Sequence, residues 1–237
     1  MLKLLLVSSA VLIAFVGASG NPFEDCEEEA KCPPGYTFKE RKDNRGWCLK
    51  YFAGNYTFFE AERICRCQGG ATLSGLENTG ELIWVLEQAQ ESFEETGIKN
   101  GGVWVGAYRR PSCSGDPKKW EKKPECSKLL QFQWTDRNTR GTEMWDRWME
   151  GSPHNNIIGN HSESCVQLQV SIEPQGTANK NLTGTFDNRV CIELPADSTF
   201  ATEGFVCGRP PKFGNGGYSG PGGEVIIIGE GKPTEKP

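Results

Sequence analysis

Ten cysteines and two histidines are the residues of this 237-residue chain best suited to covalent or metal chemistry. His154 and His161 are the only imidazoles, and the one close cysteine pair, Cys65 and Cys67, lacks the spacing of a metal knuckle, so zinc is poorly served. An even cysteine count in an exported chain points instead to disulfides and no free thiol. Serines and acids stand near both histidines, but no nucleophile-elbow glycine pattern or metal-helix motif surrounds them, and the expectation is that the protein is not an enzyme. Trp104, Trp134, Trp145 and Trp148 could stack on sugar rings, although most tryptophans are core or partly buried. Asn55-Tyr-Thr57, Asn160-His-Ser162 and Asn181-Leu-Thr183 are glycosylation sequons, meaningful only in an exported chain.

The elements that must position these residues follow from composition and periodicity. Residues 1–20 carry one basic residue, Lys3, an apolar run from Leu4 to Val16 and small residues after it, which is the pattern of a secretory signal peptide too short to span a bilayer. The mature protein is expected to be soluble and secreted into the extracellular space, without a membrane span or lipid anchor. Residues 21–31 form an acidic arm, residues 32–208 alternate apolar runs with turn residues, and residues 209–237 form a Gly- and Pro-rich flexible tail. A formal net charge of −5 argues against nucleic acid or anionic membrane as the main partner.

Two helices are legible. Thr57 and Glu60 form a capping box, after which Phe58, Ala61 and Cys65 share one face. Asn78 with Glu81 marks the second start, and Leu82, Val85, Leu86 and Ala89 recur at helical spacing. Later the chain reads as short strands over 102–106, 165–170 and 204–207, joined by irregular loops. Helices first and strands later is an α+β fold. Residues 135–164 read as one long loop, which needs disulfides or an ion to hold it.

In order, Trp104-Val-Gly-Ala, Phe132-Gln-Trp134-Thr-Asp, Trp148-Met-Glu-Gly-Ser-Pro-His-Asn-Asn, Glu163-Ser-Cys165, Phe186-Asp-Asn-Arg-Val-Cys191 and Phe205-Val-Cys207 resemble the landmarks of a C-type lectin domain. The resemblance covers residues 32–208. It implies a C-type lectin-like fold, with two helices, short antiparallel strands and a disulfide-closed loop region where the long loop falls. Spacing alone leaves on the order of 10³ cysteine pairings open. The family pattern implies Cys65–Cys207 and Cys165–Cys191 as the core pairs, and Cys32–Cys48 as the extra pair of long-form domains. Of the four cysteines left over, Cys67 lies about 200° around its helix from Cys65 and could hold the acidic arm through Cys26. Cys113–Cys126 would then staple an insertion carrying Lys118, Lys119, Lys122 and Lys123.

Sugar-binding members of the family carry Glu-Pro-Asn or Gln-Pro-Asp in the loop, a glutamate two residues before the third core cysteine, and Asn-Asp after a Trp. Calcium wants six to eight hard oxygens, and sugar hydroxyls can complete that shell. The resemblance therefore makes Glu163, Asp187 and Asn188 candidate calcium ligands, and Ser152, His154, Asn155, Glu163, Asp187 and Asn188 the candidate ligand-binding residues. Departures matter: Ser152-Pro153-His154 replaces Glu-Pro-Asn, which removes a carboxylate and puts an imidazole where an amide oxygen belongs. Asn155 and Asn156 could compensate through a shifted loop.

Extracellular calcium modules bind at roughly 10⁻⁴ to 10⁻³ M. If each lost ligand costs about 1.4 kcal/mol, two losses weaken binding about a hundredfold and leave such a site largely empty at millimolar calcium. The cofactor expectation is thus a degenerate calcium site, and otherwise none. The same residues have a plainer reading as turn formers, with His154 a solvated side chain. A glycan on Asn160 would crowd a sugar site in this loop.

The resemblance implies a secreted recognition module of carbohydrate or glycoprotein ligands, on microbial or host glycans, a role in innate immunity. The alternative is a calcium-independent, protein-binding member, favoured by Ser152-Pro153-His154 and by the basic insertion. With no heptad or collagen-like segment to enforce clustering, oligomeric state stays open.

Overall fold

The computed structural model of the chain describes residues 30–158, 161–192 and 200–212. The leader, most of the acidic arm with Cys26, the Asn160 sequon position and the tail beyond residue 212 lie outside the described residues. The elements run β1 (Thr37–Arg41), β2 (Arg45–Ala53), α1 (Phe58–Cys67), β3 (Thr72–Leu73), α2 (Thr79–Thr96), β4 (Asn100–Arg109) and β5 (Phe132–Trp134). They continue as β6 (Ile157–Ile158), β7 (His161–Ser162), β8 (Cys165–Ser171), the single-turn α3 (Ala178–Asn181), β9 (Phe186–Arg189) and β10 (Thr202–Arg209).

Local chemistry sets both main helices. The Thr57 side chain accepts from the Glu60 N–H while the Glu60 carboxylate accepts from the Thr57 N–H, closing the capping box that starts α1. Asn78 Oδ1 accepts the Glu81 N–H at 2.9 Å to start α2, and Gly97 ends it in the left-handed conformation at φ 75°.

Among the described residues the main sheet runs in the order β1-β2-β10-β4-β8-β9, with β3 on β10 and β5 on β4. All but one of its pairings are antiparallel; β10 lies parallel to β4. Parallel neighbours need a long connection, and the chain between β4 and β10 contains the whole loop region. Val103, Val105 and Ala107 of β4 join a cluster with Leu82, Val85, Ala89 and Phe93 of α2, whereas Trp104 joins Phe58, Ala61 and Cys65 of α1. Alternate strand residues face opposite ways, so the sheet is packed on both faces, by α2 on one and α1 on the other. At Gly106 a Cβ would stand 2.0 Å from the Leu73 carbonyl oxygen, which is why only glycine lets β4 pass there.

Four disulfides are formed among the described residues: Cys32–Cys48, Cys65–Cys207, Cys113–Cys126 and Cys165–Cys191. Cys67 is exposed and has no disulfide partner among them.

A buried ionic network fastens the first turn of the long loop to the β1–β2 hairpin. Arg41 Nε and Nη2 donate to the two carboxylate oxygens of Glu81 at 2.7 and 3.0 Å, and Nη1 donates to Asn138 Oδ1 at 2.9 Å. Asp136 accepts from the Gly75, Asn138 and Thr139 N–H groups. Arg45 Nη2 donates to both oxygens of Glu77 at 2.6 and 2.8 Å, and Glu77 also accepts the Arg140 N–H at 3.0 Å. Burial pushes the Glu77 carboxyl up, but the bonds from Arg45 and Arg140 outweigh it and hold the group below the ordinary glutamate range. A depressed folded value stabilises the protein above the unfolded value, about 4.3, and the contribution is lost as pH falls through the folded one. Glu77→Gln is therefore expected to lower stability at pH 7 by about 1.5–3 kcal/mol. The gap to wild type should close under acid conditions, as read by urea unfolding at neutral and acid pH.

Candidate functional site

The long loop is walled by aromatic side chains. Trp134 stacks on Trp145 with ring centroids 4.1 Å apart, Trp145 on Trp148 at 5.4 Å, and Phe132 and Phe186 pack edgewise or tilted around them. Trp145 and Trp148 are only 2% and 6% exposed. Together with the fully buried Trp104 they belong to the core, so none of the three presents a ring for a sugar to stack on.

Above this wall the Ser152–Pro153 peptide is cis, and the loop returns to β9 through side-chain bonds. Ser152 Oγ donates to Asp187 Oδ1 at 2.7 Å. The His154 N–H donates to Asn188 Oδ1 at 2.6 Å, while Asn188 Nδ2 donates to the His154 and Glu163 carbonyls at 2.9 and 3.0 Å. Asp187 Oδ2 is ion-paired to Arg189 Nε at 2.9 Å, and His154 Nδ1 stands 3.7 Å from Oδ1. Ser152, Glu163, Asp187 and Asn188 are buried, His154 is half-buried, and Asn155 and Asn156 are exposed. Asp187 and Asn188 lie on strand β9 rather than in a turn, and His154 is bonded at its backbone while its side chain is part-exposed beside Asp187.

Two residues that carried no signal in the sequence complete the site. Arg109, at the end of β4 and 2% exposed, directs its guanidinium into the loop. Nε and Nη2 donate to the Glu163 carbonyl at 3.3 and 3.2 Å, Nη1 to Asn155 Oδ1 at 3.0 Å and to Gln131 Oε1, and Nη2 to the His154 carbonyl. Its carbon lies 4.6 Å from the Phe132 ring centre and 5.6 Å from that of Trp120. Burial pulls this guanidinium down to about 10, against the opposing pull of the Glu163 charge, and it stays cationic at neutral pH. Arg189 is the second. Arg109 is followed by Arg110 and Pro111, which reads as an exposed strand end, and nothing local reveals acceptors that come from residues 131, 154, 155 and 163.

Trp120 packs between Cys113 and Cys126, so the insertion has a small core of its own, and Lys118, Lys119, Lys122 and Lys123 are exposed. Between insertion and loop lies a narrow cleft, open to solvent at its mouth and lined by Arg109, Trp120, Asn155, Ile157, Ser162 and Glu163 among others. Glu163 is 5% exposed and its Oε2 has no hydrogen-bond partner among the described residues. Burial raises its carboxyl above the usual range, with the Asp187 charge adding to the shift and His154 and Arg189 opposing it. A second, roomier cleft is lined by Phe59, Tyr108, His161, Ser162, Cys191 and Ile192 among others. Phe59 and Ile192, 58% and 40% exposed, carry its apolar surface, and Ile157 and Ile158 of the adjoining β6–β7 hairpin are 58% and 54% exposed.

The donor set fits calcium poorly. Asp187 is engaged by Arg189 and Ser152, and the Asn188 carbonyl oxygen accepts from the backbone. Among the described residues no three His, Cys, Asp or Glu side chains group as metal ligands. Only Glu163 keeps a free carboxylate oxygen, short of the six to eight that calcium wants. The sequon positions Asn55 and Asn181 are exposed.

A family model described as C-type lectin domain-containing protein 141/158 matches residues 38–210. The chain belongs to the C-type lectin domain family. Among the relatives of this C-type lectin domain is C-type lectin domain-containing protein 158 of Caenorhabditis elegans, 26% identical over 221 residues, which are 87% of this chain and 98% of that one. One chain of the snaclec coagulation factor IX/factor X-binding protein of Gloydius halys is 27% identical over 172 residues, 72% of this chain and 86% of that one. Among solved structures, a calcium-independent type II antifreeze protein superposes with a TM-score of 0.45 at 17% identity, covering 78% of this chain and 98% of the other. The family is a class of recognition domains, and no described helix of this C-type lectin domain is long and apolar enough to cross a membrane.

Proposed function

We propose that the protein is an exported recognition module that binds a protein or glycoprotein ligand without a calcium ion, through the apolar ridge of Phe59, Ile157, Ile158 and Ile192. The observation that carries this is the state of Asp187 and Asn188, whose polar groups are taken up by Arg189, Ser152 and the loop backbone. A calcium-bridged sugar would need those oxygens free. Exposed aliphatic side chains beside a cleft suit a protein surface better than a sugar's hydroxyls. The Gloydius halys relative, a factor IX/factor X-binding protein, is in keeping with a protein ligand.

Carbohydrate binding is the second reading. Glu163 favours it, because it lines the cleft beside Asn155 and its buried Oε2 is left without a partner, an acceptor that a sugar hydroxyl reaching into the cleft could satisfy. Export rests on the leader at 1–20 and on the disulfides, with the recognition unit at 32–208 between an acidic arm and a Gly-rich tail.

Pull-down from extracellular fluid separates the two. Capture of a protein that survives both chelator and free monosaccharide, and that Ile157→Asp with Ile158→Asp abolishes, is the expected result. Release by monosaccharide, with the double variant unaffected, would move the site to the Glu163 cleft and the ligand class to carbohydrate.

A further inference from the structure

A divalent ion in a loop of this kind does two things: it neutralises carboxylates and it cross-links oxygens from segments distant in sequence. Both are already done here by side chains. Arg189 neutralises Asp187. Arg109 joins the two limbs of the loop, through the His154 carbonyl and Asn155 Oδ1 on one and the Glu163 carbonyl on the other, to Gln131 beside β5. A guanidinium suits this work because its donors are fixed in one plane and its charge persists at any physiological pH.

Its position is built rather than incidental. Arg109 is 2% exposed, and its guanidinium carbon lies near the rings of Phe132 and Trp120. Trp120 is in turn held between the joined Cys113 and Cys126. The insertion thereby gains a structural role that its lysines do not suggest: it supplies one of the aromatic walls beside the cation.

We infer that Arg109 and Arg189 are tethered cations that hold the described loop segments 150–158 and 161–163 in their folded form, so that these segments are assembled with no metal ion present. This stands whichever ligand that surface takes. A mobile ion could be withdrawn by acid or by a chelator, whereas a tethered guanidinium cannot.

The test follows loop opening by limited subtilisin digestion, with cuts mapped by mass spectrometry, and melting temperature in parallel, each in chelator and in millimolar calcium. The wild-type loop is expected to resist cleavage equally in both, with no shift in melting temperature. Arg109→Ala should raise the cleavage rate between residues 150 and 163 at least roughly tenfold, because the loop then opens without the rest of the fold. Should Arg109→Ala not fold, Asn155→Ala carries the test, since it removes one acceptor at an exposed position, and Arg109→Lys adds a cation that cannot span the same acceptors. Both should give intermediate cleavage rates. Two results overturn the inference. One is a wild-type loop that calcium protects or stabilises; the other is a set of variants whose loops resist cleavage as the wild type does.

Discussion

Removing the Cys65–Cys207 bridge, as the paired change Cys65→Ala and Cys207→Ala, is expected to destabilise the protein by about 5 kcal/mol, the largest effect of any disulfide here. The bridge closes a sequence separation of 142 residues, against 16, 13 and 26 for the other three among the described residues. In the chain-entropy model those shorter closures contribute only about 3 to 3.5 kcal/mol each. Both sulfurs are also fully buried, joining α1 to β10 next to Trp104 and Phe205, so alanine at the two positions loses packing as well. Since an ordinary domain is stable by about 5–15 kcal/mol, this pair should leave a marginal fold. Urea unfolding at neutral pH checks the order: a loss no larger than that from opening Cys113–Cys126 would mean that β10 is held chiefly by its sheet neighbours.

Arg41→Met is expected to cost about 3–5 kcal/mol, because it leaves a charged carboxylate buried without its partner. The side chains of Arg41 and Glu81 are 0% and 1% exposed. The same guanidinium also serves the Gly75 carbonyl and Asn138. Glu81 in turn accepts the Glu77 N–H, so the damage should spread to the start of α2 and to the first turn of the long loop. A companion variant locates the effect. Arg41→Met combined with Glu81→Leu removes both charges and should recover most of the loss, as apolar replacement of a buried pair often does. Equal losses in the single and double variants, measured by urea unfolding, would place the energy in packing rather than in the charge.

What the sequence made legible was local. The capping box at Thr57 and Glu60 and the Asn78 start signal are read from side chains three residues apart, and each forms the bonds its spacing implies. The strands expected over 102–106, 165–170 and 204–207 lie inside β4, β8 and β10, which extend beyond them because pairing with neighbours carries a strand past its apolar centre. The parallel contact of β10 with β4 was not legible, since register between segments a hundred residues apart leaves no local mark. The site was legible only as a set of oxygen-bearing residues. Ser152, His154, Asn155, Glu163, Asp187 and Asn188 do gather around one loop, but the two arginines that organise it lie on strands, and Arg109 bonds to backbone and amide oxygens remote in sequence. Whether Trp145 and Trp148 stack on a ligand or join the core was undecided in the sequence for a similar reason: the folding of the loop onto β5 and β9 is what covers them.

The stacked indoles have an optical consequence. Trp134 is fixed to the sheet through β5, while Trp145 and Trp148 ride on the loop, and near-coplanar rings this close couple their electronic transitions. The resulting near-ultraviolet circular dichroism depends on the three rings staying in register. The protein thus carries a built-in reporter of loop closure in the unlabelled molecule, one whose coupled-indole signal adds to that of the other aromatic side chains and the disulfides.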